Sequence, residues 1–116
     1  MHELAIARDL FMIVEKKARE NNLKKVTKVR IKLGVTSGIK ENFLRHSFID
    51  HIFPETIARD AELEIIKEGA EARCRGCGKD IDTQAEFSMN CPACGSFDVE
   101  IRRGKDTCLE EIEGIK

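Results

Sequence analysis

The stretch Cys74-Arg75-Gly76-Cys77-Gly78 recurs in kind as Cys91-Pro92-Ala93-Cys94-Gly95, with thirteen residues between Cys77 and Cys91. Each CxxC turn presents two sulfurs from one tight loop, and four thiolates complete a tetrahedron about 2.3 Å from Zn²⁺. Gly78 and Gly95 permit the turn that follows each second cysteine and lets backbone N–H groups point at sulfur. With every coordination position taken by protein, such a site is structural. The segment is poor in apolar residues, so the metal would supply much of its folding free energy. Rubredoxin-like iron uses similar knuckles, and dithiol redox chemistry is the other rival. No companion redox site and no thioredoxin-type βαβ frame accompanies the cysteines. The favoured reading is a zinc-binding, zinc-ribbon-like domain over residues 71–96, with Cys74, Cys77, Cys91 and Cys94 as ligands.

Outside that segment the chain has ordinary periodicity. Leu4, Ala5, Ile6, Ala7, Leu10, Phe11, Val14 and Ala18 recur at three and four residues, which predicts a helix from about 4 to 21, stopped by Asn21-Asn22. Val29, Ile31 and Leu33 alternate with Lys28, Arg30 and Lys32, a strand with one apolar and one basic face. A turn from Gly34 to Gly38 leads, with Ser37 as candidate N-cap, into a second helix marked by Ile39, Phe43, Leu44, Phe48, Ile52 and Phe53 and ended by Pro54. Ala61, Leu63 and Ile65 then alternate with Glu62, Glu64 and Lys67. Beside the basic strand, this acidic face would offer modest Lys/Arg–Glu cross-strand pairs.

Beyond the cysteines, Phe97, Val99 and Ile101 alternate with Asp98, Glu100 and Arg102. A turn at Gly104 returns as a strand over 107–112. This final hairpin is expected to pair back onto the main sheet. The predicted fold class is therefore α+β: two helices packed on a small, about three-stranded sheet, built by residues 1–70 together with about 97–116.

Composition narrows the function. The 116 residues suit one small core plus a metal-held appendage, with 41% apolar and 35% charged residues. Net charge is −1, unlike the strongly basic footprint of a polyanion binder. The first 36 residues carry nine Lys/Arg against four Asp/Glu, whereas 74–116 carry six against nine. That polarity suits docking a protein partner more than wrapping nucleic acid. No apolar run approaches the ~20 residues of a membrane span. Arg8 and Asp9 interrupt the first apolar stretch, so neither a membrane span nor a signal core is expected and a cytoplasmic location is. In that reducing compartment the cysteines point to metal rather than disulfides. Cys108, the fifth, is expected to be a small buried hydrophobe. No nucleophile–base pair, phosphate-cradling loop or open catalytic metal site appears, so an enzyme is not expected.

The opening Met1-His2-Glu3 has a chemical logic of its own. The α-amine, the backbone nitrogen of His2 and its imidazole Nδ1 can wrap one metal in fused rings, and the Glu3 amide nitrogen can close a planar set of four. Cu²⁺ and Ni²⁺ are the usual occupants of such nitrogen-rich sites. The plain alternative is a solvated terminus. His46 and His51, five apart on the second helix, should not share a face, and His51 should sit at the core edge.

With these parts placed, the chain resembles the HypA/HybF family of hydrogenase nickel-incorporation proteins. The matching pieces are MHELAIA, VTKVRIKLGVTSGI, LEI before the metal segment, CRGCG, CPACGS and the closing Ile112-Glu113, in order over essentially the whole chain. The resemblance implies a nickel metallochaperone that delivers Ni²⁺ to [NiFe]-hydrogenase large-subunit precursors beside the GTPase HypB, with the urease accessory protein UreE as a further candidate partner. Carried over, Met1, His2 and Glu3 become the nickel site and Cys74, Cys77, Cys91 and Cys94 the structural zinc site. Where some relatives place a histidine after CGS, this chain has Phe97. The other reading is a zinc-ribbon module for protein or nucleic-acid interaction with no nickel role. Against it, residues 74–116 are net negative and offer only Phe87 and Phe97 for base stacking.

Overall fold

The computed structural model describes residues 3–83 and 90–116. Helix α1 spans Glu3–Glu20 and buries Ala7, Leu10, Phe11, Val14 and Ala18, the stripe that the three- and four-residue spacing predicts. It ends where the paired asparagines stand. Asn22 takes φ 56°, and the Leu23 and Asn22 N–H groups donate back to the Ala18 and Arg19 carbonyls at 2.9 and 3.1 Å. This closure satisfies carbonyls that a helix end otherwise leaves bare.

Strand β1 (Lys25–Gly34) follows, with Val29, Ile31 and Leu33 buried and Lys28, Arg30 and Lys32 half-buried on the other face. Two further strands flank it, β2 (Glu62–Glu68) and β6 (Thr107–Ile115), in the order β2-β1-β6. The Val26 N–H meets the Ile57 carbonyl and the Val35 N–H meets the Glu68 carbonyl, so β1 and β2 run the same way. Parallel neighbours need a crossover, and the second helix supplies it. The Lys24 N–H bonds the Ile115 carbonyl and the Gly34 N–H bonds the Asp106 carbonyl, so β6 runs antiparallel to β1.

That second helix departs from the sequence expectation. It begins with α2 (Glu41–His46), and Lys40 holds the cap position without a side-chain cap bond. Ser37 is instead part of the preceding turn, its N–H donating to the Gly34 carbonyl at 3.1 Å. After His46 the winding widens to a π-helix over Ser47–Ile52, and the Phe53 N–H reaches back five residues to the Phe48 carbonyl at 2.8 Å. Pro54 follows, as expected. The Ser47 hydroxyl donates to the Phe43 carbonyl at 2.9 Å, a back-bond that bends helices. Phe48 and Phe53 are almost wholly buried, with ring centroids 5.5 Å apart, and Phe53 lies 6.0 Å from Phe11 on α1. This aromatic cluster ties the two helices together.

The chain divides into two compact units, one holding its start through Lys32, Ile39–Ile66 and Cys108–Lys116, the other Leu33–Gly38 and Lys67–Thr107. The second unit has its own antiparallel sheet, β4-β3-β5, built from β3 (Ala70–Cys74), β4 (Asp80–Thr83) and β5 (Val99–Arg103). Here the expected closing hairpin is corrected. Only β6 joins the first sheet, and β5 pairs with β3, with Ala72 opposite Ile101 and Cys74 opposite Val99. The reason is apolar: Val99 and Ile101 pack against Ala72, Cys74, Ile81 and Cys91, a cluster that would otherwise lack a wall. Cys108, expected inside, is exposed on β6.

Candidate metal centre

The four knuckle cysteines converge. Their sulfurs all lie within 4.8 Å of one another, Cys74 Sγ at 3.5 Å from Cys94 Sγ and Cys77 Sγ at 3.7 Å from Cys91 Sγ. A tetrahedron with 2.3 Å metal–sulfur bonds has edges of about 3.8 Å, so the spacing fits one ion held by four thiolates. Strand β3 ends on Cys74 and so delivers the first ligand from the sheet. Each knuckle closes in the same way: the Gly78 N–H donates to the Cys74 carbonyl and the Gly95 N–H to the Cys91 carbonyl, both at 2.8 Å. The two glycines take φ 77° and 76°, a region other residues enter only with strain. Cys74 and Cys91 are buried, Cys77 and Cys94 exposed.

The electrostatics of four such close thiols favour a cation. Backbone N–H groups aimed at sulfur, chiefly that of Cys94, hold the Cys91 thiol down to about 6, although burial opposes them. The Cys77 backbone N–H likewise lowers Cys74. The backbone N–H at Ser96 favours a Cys94 thiolate, yet the crowding sulfurs of Cys74, Cys77 and Cys91, together with burial, push Cys94 up to about 12. Four close thiols cannot all ionise by themselves, and a bound divalent ion removes that conflict. The set fits a structural metal such as zinc, with no open position for chemistry.

Of the opening residues, Met1 and His2 lie outside the described residues. Glu3 is the first residue of α1 and is largely buried. It lines an open cavity of about 470 Å³ with Leu4, Ala5, Arg8, Phe43, His46 and Ser47. Sequence spacing separates His46 from His51, but the structure brings them together, Nε2 to Nε2 at 3.2 Å. The reason is the π-turn: an α-helix turns residues five apart about 140° away from each other, whereas i→i+5 bonding stacks them. No motif in the sequence announces that widening. His51 is also exposed rather than at the core edge.

Among the described residues, no helix is long and apolar enough to cross a membrane. A family model described as hydrogenase/urease nickel incorporation, metallochaperone, hypA matches residues 1–114. The chain is 40% identical over 114 residues to a hydrogenase maturation factor HypA of Aquifex aeolicus (97% of this chain, 96% of the relative). It is 37% identical over 117 residues to the factor of that name in Francisella philomiragia, covering 97% of each. The solution structure of the Ni metallochaperone HypA from Helicobacter pylori superposes with a TM-score of 0.70 at 25% identity, covering 99% of this chain and 98% of that one.

Proposed function

The chain belongs to the HypA family of nickel-incorporation metallochaperones, and on that premise we propose that it carries Ni²⁺ on Met1, His2 and Glu3 and a structural Zn²⁺ on Cys74, Cys77, Cys91 and Cys94. The nickel grip belongs to the first unit and the zinc to the second. The cargo passes to the [NiFe]-hydrogenase large-subunit precursor in the cytoplasm, with the GTPase HypB as partner and UreE as the partner where urease is also served. The role is delivery rather than catalysis.

The observation that carries this reading is the joint occurrence of MHE and the double knuckle inside one family match over residues 1–114. Local geometry supports it as well. Glu3 opens α1, and the first N–H groups of a helix have no partner within it. The Glu3 amide nitrogen can therefore serve as a metal ligand without breaking a helical hydrogen bond. The α-amine, the imidazole and the amide nitrogens bind metal only after losing their protons, so nickel binding is proton-linked and acid releases it. A delivery site must let go, and a micromolar affinity, about 8 kcal/mol, fits that task.

The test is a nickel titration of chain beginning at Met1, with metal counted per chain. His2→Ala and His2→Gln should each remove one equivalent of Ni²⁺ and leave zinc content unchanged. Undiminished nickel binding in both variants would overturn the assignment.

A further inference from the structure

The π-turn places His46 and His51 on one exposed face, with Nε2 atoms 3.2 Å apart and rings nearly perpendicular. Two imidazoles bound to one ion at 2.0–2.1 Å, with an N–metal–N angle of about 100°, would hold their nitrogens at that separation. His46 is oriented from behind: its Nδ1 pairs with the Asp50 carboxylate one turn on. Donation of the Nδ1 proton to Asp50 leaves the His46 Nε2 lone pair facing His51, the arrangement by which a carboxylate fixes a metal-ligating histidine. Both rings are exposed, so an ion bound there would complete its coordination with water. The spacing His-x(4)-His on a π-turn thus does what His-x(3)-His does on an α-helix.

We propose that His46 and His51 form a second site for a borderline divalent cation of the nickel, copper and zinc class, held by both Nε2 atoms and positioned by Asp50. It uses none of the four cysteines and does not depend on the amino-terminal grip. His46 also lines the cavity that Glu3 lines.

The two metal readings are separated by starting from His2→Gln protein with zinc loaded, in which His46 and His51 are the only imidazoles left among the chain's three. Ni²⁺ alone is the probe, with metal count by equilibrium dialysis and the imidazole proton resonances as readouts. The expected result is one bound Ni²⁺, paramagnetic broadening of both remaining rings, and loss of that equivalent in His2→Gln/His51→Gln. Asp50→Asn in the same background should weaken binding by about 10–100-fold while the far-UV spectrum stays unchanged. No bound nickel in His2→Gln, or binding that survives His51→Gln undiminished, would show that the two rings are only a hydrogen-bonded pair. The amino-terminal grip is judged separately, by the equivalent that His2→Gln removes from the wild-type chain.

Discussion

Arg30 Nε donates to Glu64 Oε1 at 2.8 Å across the β1–β2 pair. The same carboxylate meets Lys28 Nζ at 3.2 Å, while Arg30 Nη1 reaches Glu111 on β6 at 2.6 Å and Lys32 lies 3.8 Å from Glu110. The basic face of β1 is thus clasped from both sides by acids, while its opposite face is buried.

This arrangement sets a pH dependence. The Lys28 hydrogen bond, and then that of Arg30, hold the Glu64 carboxyl below its ordinary value of 4.5, although burial opposes them. A carboxyl lowered in the folded state stabilises the fold above its ordinary value, and the benefit disappears as pH falls through the lower folded value. Glu64→Gln should therefore shorten the acid limb of the stability curve. Chemical denaturation at stepped pH should show wild type converging on the variant as the Glu64 carboxyl becomes neutral. A difference that stayed constant from neutral pH downward would contradict the assignment.

The buried aromatic cluster should be the costliest place to truncate. Phe48→Ala removes a ring that packs on Phe53 in the first unit, and such changes typically cost about 3–5 kcal/mol. A denaturant midpoint that moved by far less would mean the site collapses around the loss. Phe43→Ala, exposed on α2, is the matched control and should move little.

Loss of the knuckle metal should be local in its first effect. Cys74→Ser and Cys91→Ser should each abolish stoichiometric metal, counted by elemental analysis, because a four-thiolate site loses its closure with any one ligand. Amides of β3, β4 and β5 should then exchange rapidly while those of α1 stay protected. Full metal content in both variants would overturn the quartet.

Ile101 tests the corrected strand assignment. Ile101→Asn puts a polar amide against Ala72 and Cys74, and it should cost metal retention before it costs the melting of α1, read by competition with a chelator. The opposite order would place Ile101 in the core of the first unit.

At the terminus, Glu3→Gln should change nickel affinity little, since the amide nitrogen rather than the carboxylate is the proposed ligand. Isothermal titration against His2→Ala gives the comparison. A Glu3→Gln loss as large as that of His2→Ala would make the carboxylate the donor.

Much of this was legible in the residues. The strong periods agree with the structure in kind: α1 begins one residue earlier than the spacing predicts, β1 buries Val29, Ile31 and Leu33, and the Lys/Arg–Glu pairs between β1 and β2 are present. Spacing alone identified the four cysteines that converge. Strand β3, the centre of the second sheet, leaves little trace in the sequence because its buried face is Ala70, Ala72 and Cys74, residues too small to give a clear alternating signal. Without that strand in view, β5 had only the main sheet to join. The histidine pair carries no sequence signal for a different reason: its geometry follows from a change of helical winding over Ser47–Ile52, which no residue spacing announces.

Strand β6 lies downstream of both knuckles yet is the antiparallel neighbour of β1. On a ribosome, then, the sheet begun by β1 cannot close until the whole metal unit has emerged. Until that moment β1 offers bare N–H and C=O groups along one edge, an invitation to pairing with the wrong strand. The cysteines, by contrast, all precede β6 in the chain. Chain order therefore nests most of the metal unit within the unit that β6 completes.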